Sequence, residues 1–342
     1  MSERRFFLGV DGGGTKTEFV CIDRERKLVA TALTGTTYHL QVGLKGAVGL
    51  LRQGVSAICG QLNISPDEIE HAFFGLPAFG EDAAIDPQLE AACGQILGHA
   101  RYACGNDMIC GWAGSLGGED GINLVAGTGS IGYGEREGLT ARVGGWGEIF
   151  SDEGSAYWIA IQGLNAFTRM SDGRLSPGPL HSAFRNALGL SADLDICARV
   201  MGERGMARDG IANLAQIVSD AADKGDAAAC HILQQAGLEL AEMARALRRT
   251  LGFRANEVSL ISWSGGVLTK QATVRETLER HLSSSGQFRL IEPRYAPGYG
   301  AALNAFRIAL RELTPKHLED RAIKRQESSA GAQRPASDAA ME

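Results

Sequence analysis

The chain has 342 residues, of which 44% are apolar and 22% are charged, and its net charge is −6. This composition is typical of a globular protein, the length favours two domains, and the negative charge argues against nucleic acid or an anionic membrane surface as a partner. No apolar run has transmembrane length, no signal-peptide core follows the N-terminus, and the seven cysteines form no CxxC. We therefore expect reduced thiols in a cytoplasmic protein.

The first motif along the chain is the stretch 8–17, LGVDGGGTKT, which lies between an apolar run and an alternating run. It predicts a hairpin with a phosphate in its bend, because glycines let backbone N–H groups approach an anion and a threonine adds a hydroxyl donor. Asp11 lies where a carboxylate could hold magnesium through water. An ordinary hairpin turn is the alternative. GxxxxGK[ST] is absent and the glycines lead into a strand, which excludes a Walker loop and a dinucleotide fingerprint.

The rest of the first 121 residues alternates between strands and helices, which predicts an α/β fold with a mixed sheet. A polar turn at 34–41 carries Tyr38 and His39, and a short strand at 102–106 delivers Asp107 at its C-terminal end. The predicted elements are strands at 27–33, 72–76 and 102–106, helices at 43–62, 88–97 and 112–116, and a helix start at 65–68.

A second module begins near Asn123, where the segment 124–134, LVAGTGSIGYG, repeats the opening pattern. It predicts an apolar strand, a phosphate-type turn and an alternating strand. Two such turns in one chain indicate an internal duplication, in which the turns could face each other across one polyphosphate.

The stretch 144–155, GGWGEIFSDEGS, contains too many glycines for a regular element. It predicts a binding loop that leads into a helix at 156–167, with Ser155 as a possible cap. Acids in such a loop suit sugar hydroxyls, because one carboxylate can accept hydrogen bonds from two of them. A solvated loop before a helix is the alternative.

The remaining chain predicts a mostly helical insertion at 171–205 and a third glycine turn at 263–270, WSGGVLTK, at the end of a strand. The other predicted elements are helices at 211–222, 227–249, 274–282 and 298–313, and strands at 257–262 and 288–291. No apolar face is visible from residue 314 on, so we expect a disordered or weakly helical tail. The predicted division is an N-terminal domain at 1–121, a C-terminal domain at 122–313 and a flexible tail at 314–342.

These motifs, in this order, resemble the actin-like ATPase (ASKHA) superfamily, which includes actin, hexokinase and the heat-shock chaperone ATPases. The resemblance implies two duplicated ribonuclease H-like domains, with mixed sheets flanked by helices, that hold ATP in the cleft between them. DGGGTKT resembles the first phosphate turn, AGTGS the second and WSGGVLTK the adenosine turn. Within the superfamily the chain is most similar, over residues 5–310, to N-acetylglucosamine kinase and bacterial glucosamine kinases, of the BadF/BadG/BcrA/BcrD type. GGWGEIFSDEGSAYWIA is the most specific part.

The resemblance implies an ATP-dependent, magnesium-assisted kinase that phosphorylates an amino sugar, N-acetylglucosamine or glucosamine, to the 6-phosphate. Asp107 would be the base that takes the proton from the sugar hydroxyl, and Asp11 would assist magnesium. The residues toward ATP would be Gly12, Gly13, Gly14, Thr15, Lys16, Gly127, Thr128, Gly129, Ser130, Gly265 and Gly266. The residues toward the sugar would be Tyr38, His39, Gly145, Trp146, Gly147, Glu148 and Asp152. Family analogy also suggests a homodimer.

Purely structural roles are the alternative for several of these residues. Asp107 could be a helix cap at a strand end, Asp152 a cap or loop acid, and Tyr38 and His39 surface turn residues. The kinases of this group have a sugar-contacting Asn in the turn after the third strand, where this chain has TTYH at 36–39. In the next connection they have small residues and glycine, where this chain has LPAF at 76–79. These departures leave the identity of the sugar open.

Three rival functions can be weighed on the same residues. An ATPase that activates a dehydratase or reductase would hold an iron–sulfur cluster between two subunits, for which Cys104 and Cys110 are candidates, but the sugar loop would then have no role. A non-enzymatic sugar sensor would carry a helix-turn-helix before the first strand, where only about five residues are present. A degenerate kinase is disfavoured, because Asp11, Asp107 and all three glycine turns are intact.

Overall fold

The computed structural model describes residues 5–203 and 205–312, and it contains two five-stranded sheets. The first sheet is built from β1 (Phe6–Gly12), β2 (Lys16–Asp23), β3 (Leu28–Gly35), β4 (Ile69–Leu76) and β5 (Tyr102–Asn106). The second is built from β6 (Gly121–Ala126), β7 (Ser130–Arg136), β8 (Leu139–Gly144), β9 (Ser259–Ser264) and β10 (Phe288–Leu290).

The two sheets have the same topology, which confirms the predicted duplication. The strand orders are β3-β2-β1-β4-β5 and β8-β7-β6-β9-β10. In each sheet the first three strands form an antiparallel meander, and the last two run parallel to the first. The C-terminal ends of β1, β4 and β5 therefore meet at one edge, as do those of β6 and β9, and side chains that follow these strands converge there.

Helices flank both sheets, as predicted. They are α1 (His39–Leu62), α2 (Asp86–Leu97), α3 (Met108–Leu116), α4 (Ala156–Ser171), α5 (Pro179–Leu188), α6 (Asp195–Met201), α7 (Arg208–Asn213), α8 (Ala215–Asp223), α9 (Ala227–Thr250), α10 (Gly266–Lys270), α11 (Ala272–Ser283) and α12 (Pro297–Glu312), with a 3-10 turn at Pro66–Glu68. None of the helices in the described part of the chain combines the length and hydropathy that a membrane crossing requires.

The apolar periodicity that predicted α1 is the pattern that the first core uses. Leu51, Val55 and Ile58 are buried in one cluster with Leu8 of β1 and Phe19 of β2. The spacing of three to four residues puts the three helical side chains on one face, so α1 covers the sheet with that face and exposes the other.

Two helices cross between the halves of the molecule. α3 follows the first sheet in sequence but packs against β6 and β9, whereas α12 follows the second sheet and packs against β1, β4 and β2. The two helices contact each other closely, because a Cβ on Gly300 would overlap the backbone of Gly114. Arg307 of α12 also pairs with the buried carboxylate of Glu135 on β7, at 2.6 and 2.8 Å.

Several local predictions differ from the structure. β8 was not predicted, and residues 39–41 belong to α1 rather than to a turn, with a backbone break at Gly43, where φ is +70°. α3 begins at Met108 rather than at 112, and the predicted helix at 211–222 is two helices that join at Leu214. The limits 1–121 and 122–313 stay a prediction. The predicted flexible tail at 314–342 lies outside the described residues.

The fit of α12 on β1 depends on Gly9. A Cβ there would overlap the backbone of Ala301 and Ala302, and a backbone cannot yield as a side-chain tip can. We expect Gly9→Ala to lower the free energy of unfolding by about 1–3 kcal/mol or more. Urea unfolding measures this change. Gly49→Ala is the control, because Gly49 is exposed in α1 with nothing within 4 Å of an added Cβ; it should raise stability by about 0.5–1 kcal/mol. Equal stability of Gly9→Ala and wild type would contradict the packing described.

Candidate active site

The first glycine turn joins β1 to β2, and the segment that follows β3 holds it through hydrogen bonds. Within the turn the N–H of Gly13 donates to the carbonyl of Lys16 at 2.8 Å. The Thr36 hydroxyl donates to the carbonyl of Gly13 at 2.8 Å, and the N–H of Thr37 donates to the hydroxyl of Thr17 at 3.1 Å. The outer part of the turn, Gly14 to Lys16, is exposed. The turn is thus a fixed loop whose outer side is open to a ligand.

The second glycine turn joins β6 to β7 and contacts the N-terminal end of α4. The N–H of Gly127 donates to the carbonyl of Gly129 at 2.9 Å, and the N–H of Ala156 donates to the carbonyl of Gly127 at 2.8 Å. Ser155 caps α4 by accepting from the N–H of Trp158 at 3.1 Å, as the sequence predicted. The Ser130 hydroxyl donates to the carbonyl of Glu153 at 2.7 Å, which ties the turn to the loop before α4.

The third glycine turn, at the end of β9, lies against the second. Gly265 has φ of +92°, and a Cβ there would overlap the carbonyl of Ala126 and lie 2.9 Å from the nitrogen of Gly127. Glycine is therefore required at 265 both by its backbone conformation and by this contact. The two turns of the second half converge, as the parallel pairing of β6 and β9 demands.

One glycine in each turn is not explained by the protein's own packing. Gly14, Gly127 and Gly266 do not have positive φ, and a Cβ on any of them would meet nothing within 4 Å. The fold therefore tolerates a side chain at these positions. An added Cβ would extend into open space beside each turn. A phosphate or nucleoside that approaches the backbone closely needs this same space. The three turns fit the predicted nucleotide in this respect.

Two carboxylates, Asp11 and Asp107, lie at the ends of β1 and β5. Between them runs β4, where Gly75 has no side chain to separate them; a Cβ there would overlap the Cys110 sulfur and lie 3.4 Å from Asp107 Cα. Burial first, and then the charge of Asp107, raise the pKa of Asp11 to about 7. Burial likewise raises the pKa of Asp107 to about 6. Such a pair is a typical functional-site feature.

The immediate partners of the two carboxylates differ. Asp11 shares a hydrogen bond with the thiol of Cys110, which is fully buried and lies 3.6 Å from the carbonyl of Val10. Asp107 occupies the N-cap position of α3, but its side chain makes no capping hydrogen bond there. Backbone N–H groups lower its pKa, though by less than burial raises it. The helix-cap explanation for Asp107 therefore finds no support in the geometry.

An ion pair joins the two halves beside Asp107. Arg142 of β8 lies 2.8 Å from Glu81, which follows β4. The charge of Glu81 raises the pKa of Asp107 and that of Arg142 lowers it. Arg142 also donates to the carbonyl of Gly145 and lies 6.0 Å from the ring centroid of Trp146. Sequence reasoning missed this pair, because its partners are 61 residues apart and neither belongs to a motif.

The predicted sugar loop is an irregular loop between β8 and α4. Gly145 and Gly147 have φ of +70° and +103°, which explains glycine at these positions. Asp152 also has positive φ, +61°, yet it is only 2% exposed. Its carboxylate lies 2.7 Å from Arg208 Nη2 and accepts from the N–H of Ser130, so it faces the second glycine turn. Trp146, in contrast, is 74% exposed.

Tyr38 faces this loop from the other half of the molecule. Burial raises the pKa of its hydroxyl, and the charged groups that act on it come from both halves: Glu81 and Asp107 on one side, Glu148 and Arg208 on the other. Tyr38 therefore lies in the cleft. His39 is buried beside it, with ring centroids 6.0 Å apart. The alternative interpretation of His39 as a surface turn residue is therefore wrong. Among the described residues, its two ring nitrogens have no hydrogen-bond partner.

Comparisons with known proteins agree with this architecture. The sequence profile of the BadF/BadG/BcrA/BcrD ATPase family matches residues 8–305. The N-acetylmuramic acid/N-acetylglucosamine kinase of Clostridium acetobutylicum is 27% identical over 304 residues, which cover 88% of this chain and 98% of that protein. The N-acetyl-D-glucosamine kinase of Dictyostelium discoideum is 25% identical over 312 residues, with the same coverage of 88% and 98%.

Solved structures show the same fold. A Chromobacterium violaceum structure described as a candidate N-acetylglucosamine kinase has a TM-score of 0.66 and 26% identity, and the match covers 88% of this chain and 99% of that one. A ROK family glucokinase from Streptomyces griseus, in complex with glucose and AMPPNP, has a TM-score of 0.51 at 15% identity, over 88% and 98% of the two chains. The second likeness shows the fold alone.

The glycine geometry gives a direct test of whether the first and second glycine turns bind a nucleotide. Gly14→Ala and Gly127→Ala should weaken binding of a non-hydrolysable ATP analogue by about tenfold or more, because the methyl group takes up space that the phosphates need. The melting temperature should change by no more than about 2 °C, since an added Cβ clashes with nothing. Titration calorimetry and thermal unfolding measure the two quantities.

A matched control for these variants is Gly60→Ala, since Gly60 is an exposed glycine of α1 with equally open surroundings. It should leave nucleotide affinity unchanged. Unchanged affinity in Gly14→Ala and Gly127→Ala would show that neither turn approaches the nucleotide.

Proposed function

The chain belongs to the BadF/BadG/BcrA/BcrD ATPase family, and from this premise we propose that it is an ATP-dependent kinase that converts an amino sugar, N-acetylglucosamine or glucosamine, to the 6-phosphate. The observation that carries the proposal is the half-buried pair Asp11 and Asp107, which lies beside the first glycine turn and opposite the sugar loop. The names of the relatives above agree with a sugar kinase rather than with an activator of a dehydratase.

Asp107 is the proposed general base. At its carboxylate it would accept the proton of the sugar 6-hydroxyl as that oxygen attacks the terminal phosphorus. A raised pKa of about 6 suits this role, because the group stays mostly ionised at neutral pH and is a stronger base than an ordinary aspartate. Because Asp107 is partly buried beside the cleft, fewer water molecules compete with the substrate for its carboxylate.

The three turns form the proposed binding site of ATP, which supplies the phosphoryl group when bound. The backbone N–H groups of Gly12 to Lys16 and of Gly127 to Ser130 would face the phosphates, and Gly265 and Gly266 would face the adenosine. Phosphoryl transfer requires positioning and charge neutralisation more than covalent help from the protein. Loops fixed by internal hydrogen bonds, as both phosphate turns are, meet that requirement.

Asp11 is the residue that would hold magnesium, which offsets phosphate charge when bound. Within the described part of the chain, no cluster of three or more His, Cys, Asp or Glu side chains is arranged to hold a metal. This fits magnesium, because it is usually held by one or two carboxylates together with substrate phosphates and water. A cation here would also relieve the repulsion between Asp11 and Asp107.

The proposed sugar site combines Tyr38 and His39 from the first half with the loop residues Gly145, Trp146, Gly147, Glu148 and Asp152. Carboxylates on one side and a phenol on the other can accept from and donate to adjacent hydroxyls. The unpartnered ring nitrogens of His39 favour a polar ligand nearby, since buried polar atoms are otherwise paired. Tyr38, which lies at or next to the position of the family's Asn, is the residue on which we expect the choice of sugar to depend.

The two candidate cluster ligands, Cys104 and Cys110, do not favour the dehydratase-activator alternative. Cys110 is fully buried against Asp11, and burial raises its pKa well above the ordinary value, so it is a poor thiolate ligand. The hydrogen bond with the Cys93 thiol, followed by burial, also raises the pKa of Cys104. A cluster shared between subunits would need exposed thiolates.

We also propose a cytoplasmic location, a homodimer, and two domains, 1–121 and 122–313, that close around the substrates. Closure would bring the Asp107 side and the sugar-loop side together and exclude water from the reaction. The helices α3 and α12, which cross between the halves, would be the elements about which the domains move.

The function is tested by measuring ATP consumption over a panel of amino sugars, plain hexoses and anhydro-sugars. We expect turnover with N-acetylglucosamine or glucosamine. Asp107→Asn should lower kcat by roughly 10²–10⁴-fold while leaving nucleotide affinity nearly unchanged, because only the base is removed. If no sugar stimulates ATP consumption, the proposed function is wrong; full activity in Asp107→Asn would refute the base assignment.

The same variant has a stability signature that separates loss of the base from misfolding. The folded-state pKa of Asp107 is raised from 3.8 to about 6, so ionising it destabilises the fold above about pH 6 and has no effect below about pH 4. Asp107→Asn should therefore be more stable than wild type by roughly 1–3 kcal/mol at pH 8, with the difference vanishing near pH 4. Urea unfolding at both pH values measures this.

Asp152 is tested by the Michaelis constants of the two substrates. Asp152→Ala should raise the KM for the sugar more than the KM for ATP, because the sugar loses a ligand whereas the second glycine turn loses one hydrogen bond, that of the Ser130 N–H. Asp193→Ala is a suitable control, because Asp193 also pairs with an arginine, but its partners Arg185 and His181 both belong to α5 rather than to the sugar loop. An unaltered sugar KM in Asp152→Ala would remove this residue from the pocket.

A further inference from the structure

A helical segment separates α4 from α8 and lies outside the two duplicated sheets. It comprises α5, α6 and α7, at residues 179–213, and we refer to it as the α5–α7 segment. Its helices pack on α4 and α8 rather than on either sheet. Nothing in the sequence pattern gives this segment a function. Its last helix, however, begins with Arg208, and the Arg208 side chain reaches the sugar loop.

Arg208 bridges two acids of that loop, Asp152 and Glu148. Its Nη2 lies 2.7 Å from Asp152 Oδ2, and its Nε lies 3.2 Å from Glu148 Oε2. The guanidinium also lies over the second glycine turn, because a Cβ on Gly129 would be 2.7 Å from Nη2. One side chain from the α5–α7 segment therefore contacts the sugar loop and the proposed phosphate turn together.

Asp152 depends on this contact for its charge and its position. Its side chain is 3% exposed, and burial raises its pKa. The charge and hydrogen bond of Arg208 oppose that effect first, followed by the N–H of Ser130, whereas the charge of Glu148 adds to it. Asp152 also sits in a left-handed backbone conformation, with φ of +61°. A buried carboxylate without its cation is strongly disfavoured, so loss of Arg208 would allow it to protonate or move.

Only arginine can bridge in this way. The planar guanidinium presents separate N–H groups in a fixed fork, so two carboxylates can be held at once and at a set distance from each other. Glu148 remains 33% exposed and Arg208 44% exposed, so the bridge borders the cleft rather than the core. Tyr38, from the opposite half, is within electrostatic reach of both.

We propose that Arg208 is a positioning residue of the sugar site: it fixes the carboxylates of Asp152 and Glu148 so that they accept from neighbouring sugar hydroxyls. The α5–α7 segment is therefore a functional part of that site and not only a structural insertion. This inference rests on the proposed sugar kinase function. It assigns no direct contact between Arg208 and substrate, because the guanidinium charge is already met by two carboxylates.

The test is steady-state kinetics on the intact chain, with the amino sugar that wild type uses best. Arg208→Met should raise the sugar KM by roughly ten- to a hundredfold, the range that a lost charged hydrogen bond gives. The KM for ATP should stay within about twofold, because the phosphate turns keep their own hydrogen bonds. Arg208→Lys should recover only part of the loss, since an ammonium group can reach one carboxylate but not hold both.

Two further variants separate positioning from a general loss of structure. Arg185→Gln, in the same segment, removes an arginine of similar exposure that pairs with Asp193 at 3.1 Å, and it should leave both KM values unchanged. In Asp152→Asn the acid is already neutral, so adding Arg208→Met should raise the sugar KM less than it does in wild type. Thermal unfolding of every variant is compared with that of Arg185→Gln.

Four results would overturn the inference. An unchanged sugar KM in Arg208→Met would show that the bridge has no role. A fall in kcat with an increase in the KM for ATP would place Arg208 on the phosphates instead. Loss confined to a carboxylated amino sugar, tested with N-acetylmuramic acid, would show direct contact with the substrate anion. Strict additivity with Asp152→Asn would show that Arg208 does not act through that acid. If wild type phosphorylates no sugar, the proposed function itself fails.

Discussion

The rest of the site depends on two carboxylates held close together at the edge of the first sheet. Asp11 lies at the end of β1 and Asp107 directly follows β5; on β4, between these strands, Gly75 is the sheet neighbour of Asp11, and a Cβ there would lie 3.4 Å from Asp107 Cα. Burial raises the pKa of both acids, and at Asp11 the charge of Asp107 adds to that increase. Acids with raised pKa values are common at functional sites, and the roles proposed for this pair, a base and a cation ligand, are those that phosphoryl transfer uses.

The duplicated topology supplies the surroundings of that pair. Each sheet begins with a meander whose first bend is a glycine turn, and each continues with strands parallel to the first. The third turn then lies against the second, because β9 is the parallel neighbour of β6. In all three turns one glycine lacks any internal reason for its small size. The same backbone plan used twice thus produces two glycine bends of the same kind, for which we propose phosphate binding, and the α3 and α12 crossing joins the halves.

The cleft is bordered by charged groups that come from distant parts of the chain. Glu81 and Arg142 join the halves beside Asp107, and Arg208 joins the α5–α7 segment to the sugar loop. Each of these contacts acts on a residue to which a catalytic or binding role is proposed. Long-range ion pairs therefore act on these residues, through charge at Asp107 and through direct contact at Asp152, whereas the turns are held by short-range backbone hydrogen bonds.

The sequence by itself determined the fold class, the three glycine turns and the placement of Asp107 after β5, because periodicity and glycine patterns depend on residues that are neighbours in the chain. Only the tertiary structure decided that Arg142 meets Glu81, 61 residues away, and that Arg208 meets Asp152, 56 residues away. It also decided that His39 is buried. A charged residue has no periodic signature that names its partner, since the pairing depends on which segments the packed fold brings together.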